Sequence, residues 1–96
     1  MIHEYKEGMS LNNSLIFFYA QWTKSCQINE GILNKLNSEI KNINIIKINT
    51  SKFYNLKEGF NIHRIPSYLL NFNNYSLIYK GNINYKEIKK WILDNY

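Results

Sequence analysis

The residue best suited to chemistry is Cys26, the only cysteine of the chain, which ends the segment Trp22-Thr23-Lys24-Ser25-Cys26. The pattern predicts a helix start at this position, where free amides and the helix dipole stabilise a thiolate, and Lys24 would add to that effect. A lone thiolate can form a mixed disulfide or be oxidised to sulfenic acid. The alternative is an unreactive buried thiol, because free cysteine is among the residue types most often buried.

A strand and a helix must position this cysteine. Residues 15–20 are apolar without alternation, which predicts a strand covered on both faces. After Ser25, apolar residues recur at spacings of three and four, which predicts an amphipathic helix. Residues 45–48 predict a second strand, parallel to the first because one helix connects them. The predicted buried stripe of the helix consists of Ile28, Ile32, Leu33, Leu36, Ile40 and Ile43.

Capping residues predict two more helices. Thr50 or Ser51 can cap a short helix that ends at Gly59. Asn84 and Glu87 have the spacing of a capping box at the start of the last helix. The apolar face of that helix consists of Ile88, Trp91 and Ile92.

A hairpin is predicted between these helices. The only proline, Pro66, stands at the head of a strand, where its missing amide is tolerated. Asn73 and Asn74 predict a turn, and residues 77–79 predict the returning antiparallel strand. Residues 1–13 are weakly defined and predict at most a short edge strand from residue 2 to residue 5. Residues 1–96 are expected to form a single domain.

The composition excludes several classes of protein. With 45% hydrophobic residues the chain should fold, and a single cysteine cannot form an internal disulfide. The net charge is +5, but the lysines form no tract and Arg64 is the only arginine, so the sequence does not favour a nucleic-acid site. His3 and His63 are too isolated to bind a metal. No cofactor is predicted.

The N-terminal residues mix charges and lack the apolar region of a signal peptide. No apolar run approaches the roughly 20 residues needed to span a bilayer. We therefore expect a soluble protein of the cytoplasm that does not interact with a membrane. The sequence does not predict an oligomeric state.

Several motifs in a fixed order resemble the thioredoxin family. They are a strand ending in Ala20-Gln21-Trp22, Cys26 at a helix start, Ile65-Pro66-Ser67 before a hairpin, and Gly81 after the last strand. The resemblance covers residues 14–96 and implies a thioredoxin-like α/β fold, a central mixed sheet flanked by helices on both faces. It also implies a cis peptide bond before Pro66, close to the turn that precedes Cys26.

The same resemblance implies that the usual activity is lost. The family's turn reads Trp-Cys-Gly-Pro-Cys, and its attacking first cysteine corresponds to Thr23 in this chain. The buried acid that assists the second cysteine of the family corresponds to Phe17. A dithiol cycle needs a second thiol to resolve the mixed disulfide. We therefore do not expect dithiol reductase activity.

These observations predict a domain that binds a protein or peptide partner. Trp22 and Pro66 would line a shallow groove in which an extended peptide pairs with the backbone of Ile65. The alternative is a single-thiol redox protein, in which Cys26 and Thr23 are the catalytic candidates and glutathione or a protein forms the mixed disulfide. The predicted partner-binding residues are Trp22, Lys24, Ser25, Arg64, Ile65 and Pro66.

A second resemblance concerns the same segment. Thr23-Lys24-Ser25-Cys26 after Phe17-Phe18-Tyr19 is similar to the peroxiredoxin pattern, in which a threonine hydroxyl binds peroxide and an arginine stabilises the thiolate. It implies that Cys26 senses or reduces peroxide, with Arg64 as the arginine. Ala20 replaces the proline of that motif, and the spacing is one residue shorter.

Overall fold

The protein is organised around a mixed β-sheet. The computed structural model describes residues 1–22 and 26–96, and of Cys26 it describes the backbone alone. The elements within these residues are β1 (Ile2–Glu4), β2 (Ser14–Tyr19), α1 (Cys26–Glu39), β3 (Asn44–Asn49), α2 (Tyr54–Gly59), β4 (Ser67–Asn71), β5 (Ser76–Ile78) and α3 (Tyr85–Asn95). The strand order is β1-β3-β2-β4-β5. The first three of these strands are mutually parallel, whereas β4 and β5 are antiparallel to their neighbours.

The central strand β2 explains why residues 15–20 show no alternation. Leu15 and Phe17 pack on the face covered by α1 and α3, whereas Ile16 and Phe18 pack on the face covered by α2. All four side chains are buried. The predicted mixed sheet with helices on both faces is therefore confirmed, and β2 contributes to both halves of the core.

The predicted buried stripe of α1 is wrong at its first position. Ile28 is 63% exposed, and the fully buried residue of that turn is Asn29. Asn29 accepts a hydrogen bond from the Tyr68 hydroxyl at 2.5 Å, so the stripe contains a polar residue with a partner across the core. The helix also ends at Glu39, earlier than predicted. Ile40 and Ile43, the last two residues of the predicted stripe, lie in the segment that follows the helix and are buried there.

The predicted cap of α2 is also wrong. The Thr50 amide and hydroxyl donate to the carbonyl oxygen of Tyr19, at 2.7 and 3.1 Å. The Ser51 amide donates to the Asn49 side chain at 3.0 Å. Phe53 occupies the N-cap position, and no side-chain hydrogen bond caps this helix. Thr50 instead ties the end of β3 to the end of β2, because it directly follows a strand that pairs with β2.

The hairpin and the last helix agree with the prediction. β4 and β5 are antiparallel, and Phe72 donates its amide to the Tyr75 carbonyl across the turn at 2.8 Å. Asn84 caps α3 by accepting a hydrogen bond from the Glu87 amide at 3.2 Å. Within residues 1–22 and 26–96, no helix combines the length and the apolar character that crossing a membrane requires.

Candidate functional site

Three paired strands, β2, β3 and β4, bring predicted site residues to one edge of the sheet. Phe18, near the end of β2, pairs with Ile48 near the end of β3 and with Ser67 at the start of β4. Because β4 is antiparallel to β2, the segment before Ser67 meets the segment after Phe18. Trp22 and Pro66 therefore lie at the same edge, although 43 residues separate them in the chain.

A groove of about 750 Å³ lies at this edge. One wall comes from the residues that lead into β4, and the other from the end of β5 and the loop that follows it. Three predicted partner-binding residues line it, namely Arg64, Ile65 and Pro66. The lining residues are Asn61, Ile62, His63, Arg64, Ile65, Pro66, Ser67, Tyr68, Ile78, Tyr79, Lys80, Gly81 and Ile83.

The first wall presents backbone groups that have no partner in the part of the chain that the structure describes. The Ile65–Pro66 peptide bond is cis. The Ser67 hydroxyl donates to the Arg64 carbonyl at 2.6 Å, which closes a tight turn around these two residues. The amide and carbonyl of Ile65 form no hydrogen bond with any residue among 1–22 and 26–96. A second extended chain could therefore pair with Ile65.

The second wall is held in place by Tyr79. Its hydroxyl donates to the Asn82 carbonyl at 2.6 Å, and its ring lies 5.1 Å from the Trp91 ring of α3. The ring passes so close to Gly81 that a Cβ atom there would lie 2.7 Å from the Tyr79 Cζ. Any larger residue at position 81 would therefore force the Tyr79 ring to move. Burial raises the pKa of the Tyr79 hydroxyl, and the negative charge of Glu87 raises it further.

Behind the groove lies the buried hydroxyl of Tyr68. Although Tyr68 contributes to the wall, its side chain is fully buried and its polar end bonds Asn29 on the far side of the core. Its ring packs between Phe17 at 4.9 Å and Tyr79 at 6.5 Å. Burial raises the pKa of this phenol well above its ordinary value of 10.0, and the charge of Tyr79 adds to the shift. The phenol is thus a protonated hydrogen-bond donor that anchors β4 to α1.

An ion-pair cluster ties α1 to the neighbouring strands. Lys47 of β3 pairs with Glu30 of α1 and lies 3.8 Å from Glu4 of β1. The Tyr19 hydroxyl donates to the same Glu4 carboxylate at 2.8 Å. Lys47 sits opposite Phe17 in the sheet, the position at which the resemblance places the family's buried acid. In this chain the ring of Phe17 occupies the position of that acid, and Lys47 pairs with the carboxylates of Glu4 and Glu30.

The remaining predicted site residues fall at or beyond the limits of the described chain. Trp22 is 71% exposed and is not among the residues that line the groove. Thr23, Lys24, Ser25 and the side chain of Cys26 lie outside the described residues. The backbone of Cys26 begins α1, as the sequence predicts. Within the described chain, no group of three or more metal-ligating side chains lies close enough together to hold a metal ion.

Sequence reasoning missed most of the second wall. Tyr79, Lys80 and Ile83 line the groove but were not predicted as site residues. Gly81 carried the one available signal, because its place after the last strand is part of the resemblance. His63, which the sequence marks only as too isolated to bind a metal, is an exposed residue of the first wall.

The element order, the mixed sheet and the groove beside a cis proline define a protein of the thioredoxin fold. A family model described as Thioredoxin matches residues 3–94. This chain therefore belongs to the thioredoxin family.

Known proteins similar to the chain agree with this assignment. The chain is 35% identical over 57 residues to the chloroplastic thioredoxin Y2 of Arabidopsis thaliana. That match covers 58% of this chain and 34% of the relative, so it spans about a third of the relative's length. Mitochondrial thioredoxin 3 from Saccharomyces cerevisiae, in its oxidized form, superimposes with a TM-score of 0.77 at 20% identity over 88% of this chain and 80% of its own. A thioredoxin from Nicotiana alata gives 0.74 at 22% identity, over 88% and 75%. The structural matches show the shared fold.

Proposed function

We propose that this chain is a partner-binding member of the thioredoxin family that holds an extended peptide segment without dithiol exchange. The observation that carries the proposal is the groove beside Pro66, in which the backbone of Ile65 has no described hydrogen-bond partner. An extended peptide would pair with that backbone as an added strand, and its side chains would enter the groove.

Apolar contacts would supply much of the binding energy. Ile83 lines the groove and is 40% exposed, and Ile65 and Pro66 are half-buried beside it. A bound peptide would remove this surface from water, which stabilises the complex by roughly 25 cal/mol for each Å² of apolar area buried. Trp22, exposed at the same edge of the sheet, could extend the contact area beyond the groove.

The cysteine content supports binding over dithiol chemistry. The chain has a single cysteine, at the position of the family's second, resolving cysteine. A mixed disulfide formed at this sulfur would have no second thiol in the chain to release it. Binding at the groove needs no thiol.

The test is selection of peptides from a displayed random library, with a pair of matched variants. Ile65→Glu places a carboxylate in the groove, whereas Leu93→Glu places the same charge on an exposed apolar residue of α3 that does not line it. We expect the wild type, Leu93→Glu and Cys26→Ser to select the same peptides and Ile65→Glu to select none. Thermal unfolding of each variant tests whether it is folded. Equal selection by Ile65→Glu and wild type would defeat the proposal.

A second candidate function is favoured by the position of Cys26 at the first residue of α1. A helix start lowers the pKa of a thiol. The Cys26 thiolate would then attack oxidised glutathione, forming the Cys26–glutathione disulfide and releasing one glutathione thiolate, so that no other oxidant is needed. Alkylation rates measured against pH give the thiol pKa. A value at or above the free-cysteine value of about 8.5 removes the basis of this candidate.

A further inference from the structure

The groove has an asymmetric distribution of charge. Its lining includes His63 and Arg64 on the first wall and Lys80 on the second, and no acidic residue. Both Arg64 and Lys80 are exposed. Neither forms an ion pair with an acidic side chain anywhere in residues 1–22 and 26–96. Two exposed cations that lack an acidic partner within these residues therefore line the groove, one on each wall.

Three of the seven acidic residues form ion pairs with lysines that do not line the groove. Glu4 and Glu30 pair with Lys47, and Glu39 pairs with Lys89 at 3.4 Å. Glu87 is the carboxylate whose charge reaches the groove wall, since it raises the pKa of Tyr79. With twelve basic residues against seven acidic ones, the chain has a net charge of +5. Within the described part of the chain, no ion pair neutralises Arg64 or Lys80.

We propose that the occupant of the groove is an acidic peptide segment, which carries carboxylates toward Arg64 and Lys80 and an aliphatic side chain toward Ile83. The proposal rests on the peptide-binding function proposed above and specifies its ligand. Arg64 presents a planar donor group that binds a carboxylate through two parallel hydrogen bonds, whereas Lys80 acts as a point charge. Charge complementarity of this kind selects among partners and accelerates their association.

A peptide fits the groove better than a nucleic acid does. Single strands are bound on exposed aromatic faces along a basic track. Of the two tyrosines in the lining, Tyr68 is buried and the Tyr79 ring is packed against Trp91, so the described lining does not provide a row of exposed aromatic rings. The backbone of Ile65, which has no hydrogen-bond partner among the described residues, matches the amide and carbonyl of an extended peptide, which a nucleic acid lacks.

The probe is a displayed library of random peptides, selected on the intact protein. Wild type is compared with the double variant Arg64→Gln/Lys80→Gln. The control double variant, Lys41→Gln/Lys90→Gln, removes the same charge at exposed positions outside the groove. We expect wild type and control to enrich Asp and Glu over Lys and Arg, and the groove variant to lose this enrichment.

The affinity of a selected peptide provides the second measurement. Because the ligand would form two exposed ion pairs, we expect Arg64→Gln/Lys80→Gln to weaken binding roughly 3- to 20-fold at low salt. The control double variant should change the affinity less than about 2-fold. The difference between the two variants should shrink in high salt, which screens exposed charges. Replacing the peptide's carboxylates with amides should reproduce the loss on wild type and have no effect on the groove variant.

The outcomes separate the two proposals. Peptides that bind wild type and are lost in Ile65→Glu, but that show no acidic enrichment, would overturn the acidic ligand and leave the peptide-binding function standing. A library that yields no groove-dependent peptide would overturn both. Single-stranded DNA or anionic vesicles that bind more tightly than any selected peptide, in a manner dependent on Arg64 and Lys80, would overturn the peptide as the ligand.

Discussion

Replacing Tyr68 by Phe tests the buried hydrogen bond behind the groove. The Tyr68 hydroxyl is fully buried and donates to the Asn29 Oδ1 at 2.5 Å, so the substitution removes one hydrogen bond and leaves the ring in place. Loss of a buried donor costs about 1–3 kcal/mol in the free energy of unfolding. For a domain of this size, each kcal/mol lowers Tm by roughly 4–8 °C.

The pH dependence provides a signature that a packing defect would not produce. Burial holds the pKa of Tyr68 above its unfolded value of 10.0. A raised pKa means that the folded state retains the proton, so the stabilisation is complete below pH 10 and is lost as the pH rises toward the folded pKa. Tyr68 contributes a slope of at most about 1.4 kcal/mol per pH unit in that range. The Tyr68→Phe variant has no phenolic proton to lose at this position, so the stability difference between the two proteins should narrow above pH 10.

Denaturant unfolding of both proteins at pH 7 and at several values above pH 10 measures both effects. Tyr54→Phe is the control, because that side chain is 60% exposed and its substitution should leave stability within about 0.5 kcal/mol of wild type. If Tyr68→Phe is as stable as wild type at pH 7, the hydrogen bond contributes nothing. If the difference persists unchanged above pH 10, the phenol is not held protonated by burial, and the reasoning is refuted.

Two further predictions concern the second wall and the last helix. Gly81→Ala should lower the free energy of unfolding by about 1–3 kcal/mol and weaken peptide binding, because its Cβ would lie 2.7 Å from the Tyr79 Cζ. Gly59→Ala is the control, since no described atom lies within 4 Å of its Cβ, and it should bind peptide normally. Equal affinities of the two variants would contradict the close approach at position 81. Asn84→Ala should destabilise the protein by about 0.5–2 kcal/mol in denaturant unfolding, because the Glu87 amide loses its acceptor. Asn84→Ser should retain most of the wild-type stability, because serine can also accept this hydrogen bond. An alanine variant as stable as wild type would show that the cap contributes nothing.

Much of the fold could be predicted because it depends on short-range patterns. The unbroken apolar run at residues 15–20 predicts a strand buried on both faces, and β2 is that strand. The Asn84 cap depends on a residue three positions away, and it forms as predicted. The predictions failed where tertiary contacts overrode the local pattern. Thr50 bonds Tyr19 instead of capping a helix, and Asn29 is buried in place of Ile28 because its amide meets Tyr68 across the core.

The candidate site divides in the same way. The sequence alone determined the family resemblance, the single cysteine, and the first wall through Arg64, Ile65 and Pro66. Only the tertiary structure decided that Lys80 and Ile83 complete the groove. The physical reason is register. The antiparallel pairing of β4 with β5 places Ile78 opposite Leu69, so the residues that follow β5 lie beside the residues that lead into β4. The local periodicity of a sequence does not determine which segments become neighbours in a sheet.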